Sequence, residues 1–99
     1  MRLSQIEARA IRTLAEAEFG PNTRVLLFGS RTDDSARGGD IDLLVEVQYP
    51  VDHPARTAAA LAAALSRRLS GRSVDVVIAA PNLRRLPIHD LAARDGVPL

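Results

Sequence analysis

This sequence predicts an α/β (α+β) fold in which helices pack on one face of a small mixed sheet of three to four strands. Three observations carry that reading. Apolar residues recur at helical spacing in two long stretches and one short one, three short β-prone runs lie between them, and Gly, Pro and Asn punctuate the boundaries. The order is helix, strand, strand, helix, strand, helix. At 99 residues the chain is expected to form one domain, 1–99, around one core.

The first helix opens with Ser4 and Glu7 at capping-box spacing, continues through Ile6, Ala10, Leu14 and Ala17, and stops at Gly20-Pro21-Asn22. Arg24 to Gly29 (RVLLFG) is a short apolar run between turn signals, read as a buried strand. Ser30 to Gly39 is a polar connection in which Ser30 and Asp33 could cap a brief helical turn. Ile41 to Val47 is the second strand. Its alternation puts Ile41, Leu43, Val45 and Val47 on one face and Asp40, Asp42, Leu44 and Glu46 on the other. From about Pro54 to Ser70 the residues Ala58, Leu61, Ala62, Leu65 and Leu69 form the stripe of a second helix, which Gly71 ends. Ser73 to Ala80 (SVDVVIAA) is a third strand closed by Pro81-Asn82. A short helix from Pro87 ends at Gly96, which suits the position after a helix C-terminus.

Composition removes whole classes of function. Thirteen basic side chains against twelve acidic ones leave +1, too balanced for stable nucleic-acid binding by this chain alone. All thirteen are arginine, so a P-loop lysine, a Schiff base and a lysine nucleophile are excluded. Without cysteine there is no disulfide, thiol catalysis or thiolate zinc site. Phe19, Phe28 and Tyr49 are the only aromatics, too few for a base-stacking platform. No run approaches the roughly eighteen apolar residues of a membrane span, and MRLSQIEARA lacks the apolar core of an export signal. A cytoplasmic location is the expectation.

Three chemistry-bearing features converge. Gly29-Ser30 ends the first strand, Asp40-Ile41-Asp42 opens the second, and Asp75 lies near the start of the third. The short connection makes strands one and two antiparallel. The helical crossover makes strand three parallel to strand two. The Gly-Ser turn and all three acids then meet at one sheet edge. The helices would cover the Ile41/Leu43/Val45 face and leave the acids on the more open one. Three clustered carboxylates repel unless a cation sits among them, and hard oxygen donors without His or Cys select Mg²⁺, with Mn²⁺ as a substitute. Asp40, Asp42 and Asp75 are therefore candidate metal ligands and catalytic residues for two ions. Gly29 lets the backbone approach a phosphate and Ser30 supplies donors. Arg31, or Arg37 from the loop, offers a charged donor to the phosphate oxygens.

The bland alternatives differ in weight. A lone Asp-x-Asp is about as often a turn edge as a site. An aspartate between Val74 and Val76 is a misfit for an apolar strand, and an edge charge that blunts aggregation is its main competing role. His53 reads as an exposed neighbour of a helix cap, and His89 lacks partner histidines for a metal. Arg67-Arg68 and Arg84-Arg85 read as solvated faces, with docking of an acidic partner as the minor alternative. Tyr49 closes a strand with its ring packed, its hydroxyl being a conceivable modification site. Asp33, Asp34 and Glu46 read as surface charge.

Residues 27–47, LFGSRTDDSARGGDIDLLVEV, together with VDVVI further on, resemble the signature of the minimal nucleotidyltransferases of the DNA polymerase beta superfamily. A strand ending in Gly-Ser is followed after about ten residues by Asp-x-Asp, and one helix later by a third aspartate. The resemblance spans nearly the whole chain and implies the polymerase-beta-like nucleotidyltransferase fold. One departure is visible. Many such proteins carry Gly-Ser-x-Ala-Arg-Gly directly after the strand, whereas here Ala36-Arg37-Gly38 comes later, which leaves Arg31 and Arg37 as alternatives.

The resemblance implies transfer of a nucleoside monophosphate from an NTP to a hydroxyl, with release of pyrophosphate. Asp40 and Asp42 would hold both Mg²⁺ ions, Asp75 would complete the site and help activate the acceptor, and Gly29 and Ser30 would grip the β- and γ-phosphates. With no further segment here to form an acceptor domain, the acceptor is expected to be supplied by another protein or to bind on an exposed surface. Stand-alone chains of this kind resemble the antitoxins of toxin–antitoxin pairs, which add AMP from ATP to a tyrosine of a helical HEPN ribonuclease toxin. That implies a hetero-oligomeric encounter with such a toxin. The alternatives are a noncatalytic module that neutralises a partner by occlusion and, more weakly, a nucleotidyltransferase acting on nucleic acid.

Overall fold

Ser4 and Glu7 start the first helix as their spacing requires. In the computed structural model, which describes residues 3–28 and 41–99, the Ser4 hydroxyl accepts from the Glu7 N–H at 3.1 Å and Glu7 Oε1 accepts from the Ser4 N–H at 2.9 Å. The helix, α1, runs Gln5–Phe19. Its buried residues are Ala10, Ile11, Ala15 and Phe19. The expected stripe through Ile6 and Ala17 is therefore rotated, and Ile6 stands 81% exposed. An alanine-rich helix offers two apolar stripes, and the bulk of Ile11 and Phe19, eight residues apart with Ala15 midway, decides between them.

Strands β1 (Arg24–Phe28) and β2 (Ile41–Glu46) pair antiparallel, as the short connection predicted. Helix α2 (Pro54–Arg68) follows, with Pro54 in its first turn and His53 as an exposed N-cap without a side-chain cap bond. Ser70 and Gly71 then turn the chain through positive φ into β3 (Val74–Ala79), which lies parallel to β2. After α3 (Pro87–Asp95) a two-residue strand, β4 (Val97–Pro98), pairs antiparallel with β1. The sheet order is β3-β2-β1-β4.

The main core lies where the alternation put it. Val25, Leu27, Ile41, Leu43, Val45, Val74 and Ile78 pack on one face against Ile11, Ala15 and Phe19 of α1 and Leu61 and Leu65 of α2. A departure concerns the third helix. Leu26, Leu44 and Val77 remain apolar on the opposite face, and α3 covers them there through buried Ala92. Alternation identified both sets of residues, but the second set is too apolar to leave wet. Helices thus lie on both faces rather than one.

Two side chains hold α3 and the β3 exit in place. His89 is buried, its Nδ1 accepting from the Leu86 N–H at 2.8 Å and its Nε2 donating to the Ile78 carbonyl at 3.2 Å. Both ring nitrogens are thereby used inside the fold, in agreement with a non-ligand histidine. Asn82 accepts from the Val51 N–H and donates to the Val51 carbonyl, each at 2.9 Å, and so imitates a strand partner. Gly96 ends α3 at φ −73, outside the left-handed region. Its missing side chain matters because a Cβ would collide with the Ala92 carbonyl and crowd Leu26. Tyr49 is 45% exposed, so its ring is only half packed.

The capping box is tied to the far end of the fold by Arg72, whose guanidinium meets Glu7 Oε2 at 2.9 Å. The Ser4 backbone N–H, helped by Arg72 and opposed by partial burial, holds the Glu7 carboxyl below its usual range. A depressed carboxyl stabilises the fold above the unfolded glutamate pKa of about 4.3 and loses that contribution as pH falls through the folded value. Urea melts should show Glu7→Gln weaker than wild type by about 1 kcal/mol near neutral pH, with the gap closing below about pH 4. Asn82→Ala strands two partly buried backbone groups and should cost about 1–3 kcal/mol in the same assay.

Candidate functional site

A parallel pair joined by a helical crossover has its strand starts side by side. Here the register pairs Ile41 with Val74 and Asp42 with Asp75. On the other side Phe28, the last residue of β1, pairs with Asp42. One row therefore crosses three strands as Phe28, Asp42 and Asp75. Register partners project on the same side of the sheet, and adjacent strands are about 4.8 Å apart. The two aspartates stand next to each other, Asp42 half-buried and Asp75 exposed.

The adjacent row on this face is Leu26, Leu44 and Val77, which α3 covers. Two residues along a strand amount to about 7 Å, so the acids begin where the apolar lid ends. One side of the pair is thus bounded by a dry, apolar row. The chain leaves β1 at Phe28 and enters β2 at Ile41, both at this end of the sheet.

Gly29, Ser30, Arg31, Arg37 and Asp40 lie outside the described residues, as does the suggested Ser30–Asp33 cap. Among the described residues no group of three or more ligand-type side chains could hold a metal. Asp42 and Asp75 make two hard oxygen donors side by side, a set suited to Mg²⁺ or Mn²⁺ and unsuited to a soft ion.

A groove of about 400 Å³ lies at the other end of the sheet, lined by Arg24, Glu46, Ala80, Leu83, Arg84 and His89 among others. Glu46 is four residues beyond Asp42 on β2, about 13 Å at strand rise. The acids are not part of it. Arg24 pairs with Glu46 at 3.2 Å and Arg85 with Asp90 at 2.7 Å, both near the surface. Such pairs contribute little to stability. In sequence Glu46 reads as surface charge and Arg84-Arg85 as a solvated face or, less readily, a dock for an acidic partner; that they share this groove emerges only in the structure. The only sequence signal was the placement of Arg84-Arg85 just after the β3 breaker.

Like charges opposite one another on neighbouring strands destabilise a sheet by a few tenths to about 1 kcal/mol. Asp75→Asn, measured by urea unfolding in chelator-treated buffer, should leave stability unchanged or raise it by up to that amount. A loss beyond about 1 kcal/mol would show that Asp75 serves the fold rather than a function.

No curated protein matches the chain. A family model described as a nucleotidyltransferase domain matches residues 8–95. That span holds most of α1 and all of β1, β2, α2, β3 and α3, with Asp42 and Asp75. Three helices and a mixed four-stranded sheet agree with that fold. The chain belongs to the nucleotidyltransferase domain family, whose members move a nucleoside monophosphate from an NTP.

Proposed function

We propose that this chain is a Mg²⁺-dependent nucleotidyltransferase that adds AMP from ATP to a protein hydroxyl, a tyrosine of a HEPN-type toxin, and acts as the antitoxin of that pair. The observation that carries the chemistry is the Asp42–Asp75 register. It brings acids from separate strands into one row, beside the segment that contributes Asp40. The partner follows from the resemblance of stand-alone chains with this motif, and the sparse aromatic content and balanced charge favour protein over nucleic acid as acceptor.

In this reading Asp40, Asp42 and Asp75 hold two Mg²⁺ ions, Gly29 and Ser30 grip the β- and γ-phosphates, and Arg31 or Arg37 binds a non-bridging oxygen. Bound divalent cations supply charge neutralisation along the triphosphate and at the pyrophosphate leaving group. The acceptor hydroxyl oxygen attacks the α-phosphorus. A new P–O bond forms, the α–β anhydride bond breaks and pyrophosphate leaves. Asp75, the exposed member of the pair, takes the hydroxyl proton as general base.

The test incubates the chain with α-labelled ATP, Mg²⁺ and the protein product of the neighbouring gene. Wild type should label that protein, and Asp42→Asn or Asp75→Asn should lower the rate at least about 100-fold. Equal labelling by Asp42→Asn would overturn the assignment. Neutralisation of the toxin in cells that survives Asp75→Asn would favour occlusion without catalysis.

A further inference from the structure

The hydrogen-bond phase of β3 shows which of its backbone groups face outward. Ile41 N–H donates to the Ser73 carbonyl at 2.9 Å and Val47 N–H to the Ala79 carbonyl at 2.8 Å. In a parallel ladder this phase points the groups of residues 73, 75, 77 and 79 at β2 and those of residues 74, 76 and 78 away from it. Among the described residues β3 is an edge strand that pairs with β2 alone.

The two edges of the sheet are treated differently. β4 closes one side with two residues, one of them a proline, which is a common way to blunt an edge. On β3 the outward carbonyl of Ile78 is occupied by His89 Nε2 at 3.2 Å. The side chain of Val74 is buried in the core and Val76 is half-buried, but among the described residues the outward backbone groups of both make no hydrogen bond. The uncovered stretch therefore flanks Asp75, at the acid end of the strand.

We infer that the open edge of β3 at Val74–Val76 is a docking site for an extended, hydroxyl-bearing segment of the acceptor protein, which adds to the sheet as a fifth strand beside Asp75. This rests on the nucleotidyl-transfer reading above and specifies how that site receives its acceptor. Asp75 directs its own N–H and C=O toward β2. An antiparallel segment therefore meets Asp75 in a non-hydrogen-bonded pair, where side chains are closest, with Cβ atoms about 4.5–5.5 Å apart. Alternate side chains of the segment project on the face of Asp42 and Asp75, as a donor of the attacking oxygen must. Main-chain bonds supply affinity and leave the choice of hydroxyl to the site. A second copy of this chain is the poorer occupant. Pairing the same edges would gather two Asp75 and two Asp42 side chains on one face of a continuous sheet.

The probe is a synthetic peptide of alternating valine and tyrosine flanked by lysines, added to the full chain without nucleotide. Amide hydrogen exchange should slow at least tenfold at Val74 and Val76, while the ladder-bonded amides of Asp75 and Val77 change little. Val76→Pro removes an outward N–H that β2 does not use. It should keep a cooperative thermal transition, lowered only by the lost packing of Val76 on the core, and keep ATP binding, yet weaken peptide binding at least tenfold. Unchanged exchange at both valines, or equal peptide binding by Val76→Pro, would overturn the inference. Protection that appears without peptide and grows with protein concentration would overturn it in favour of self-pairing. Docking without AMP transfer would leave the inference standing and sink the catalytic reading. AMP transfer undiminished in Val76→Pro would do the reverse.

Discussion

The parallel registration of β2 on β3 is the constraint from which the rest of this structure follows. Ile41, Leu43 and Val45 are fully buried, and Val74 and Ile78 nearly so, on the face that α1 and α2 cover. A slip of one residue would turn that whole set toward the opposite face and bury Asp75 in its place. The penalty for burying an unpaired carboxylate is far larger than any gain from a single ladder bond. The same burial that builds the core therefore pins Asp42 beside Asp75. An arrangement with a cost, two like charges in one row, is maintained by packing on the other side of the sheet.

The opposite face is divided between stability and exposure. Its middle is apolar and lies beneath Ala92 of α3. One end carries the acids, and the other carries the groove rimmed by Arg24, Arg84 and His89. His89 belongs to both the fold and the edge. It fastens α3 to β3 through Leu86 and Ile78, and in doing so covers the end of β3 farther from Asp75. Docking of an extended acceptor at what stays uncovered would need no acceptor domain in this chain.

How much could be read beforehand depends on the range of the interaction. Ser4 and Glu7 define a helix start because the bonds they make are three residues apart. Leu61, Leu65 and Leu69 define a stripe without rival. α1 was harder, since alanines let two stripes compete and only contact with the sheet placed Ile11 and Phe19 inside and Ile6 outside. The pairing of Asn82 with Val51 and of Arg72 with Glu7 spans 31 and 65 residues. Nothing local announces bonds of that length. Asp75 was legible because it breaks an apolar run. Its neighbour in the row was legible through the rule that parallel strands begin together.

The sequence by itself determined the element order as far as α3, the antiparallel pairing of β1 with β2 and the parallel pairing of β2 with β3, the two faces of β2 and the motif that marks the family. These depend on periodicity, turn chemistry and connection length, which act within short stretches of chain. Only the tertiary structure decided which stripe of α1 is buried, that α3 covers the second face, that β4 pairs with β1, and that among the described residues β3 pairs with β2 alone. Those outcomes depend on what lies across the sheet, and a packing partner distant in sequence leaves no mark on local pattern.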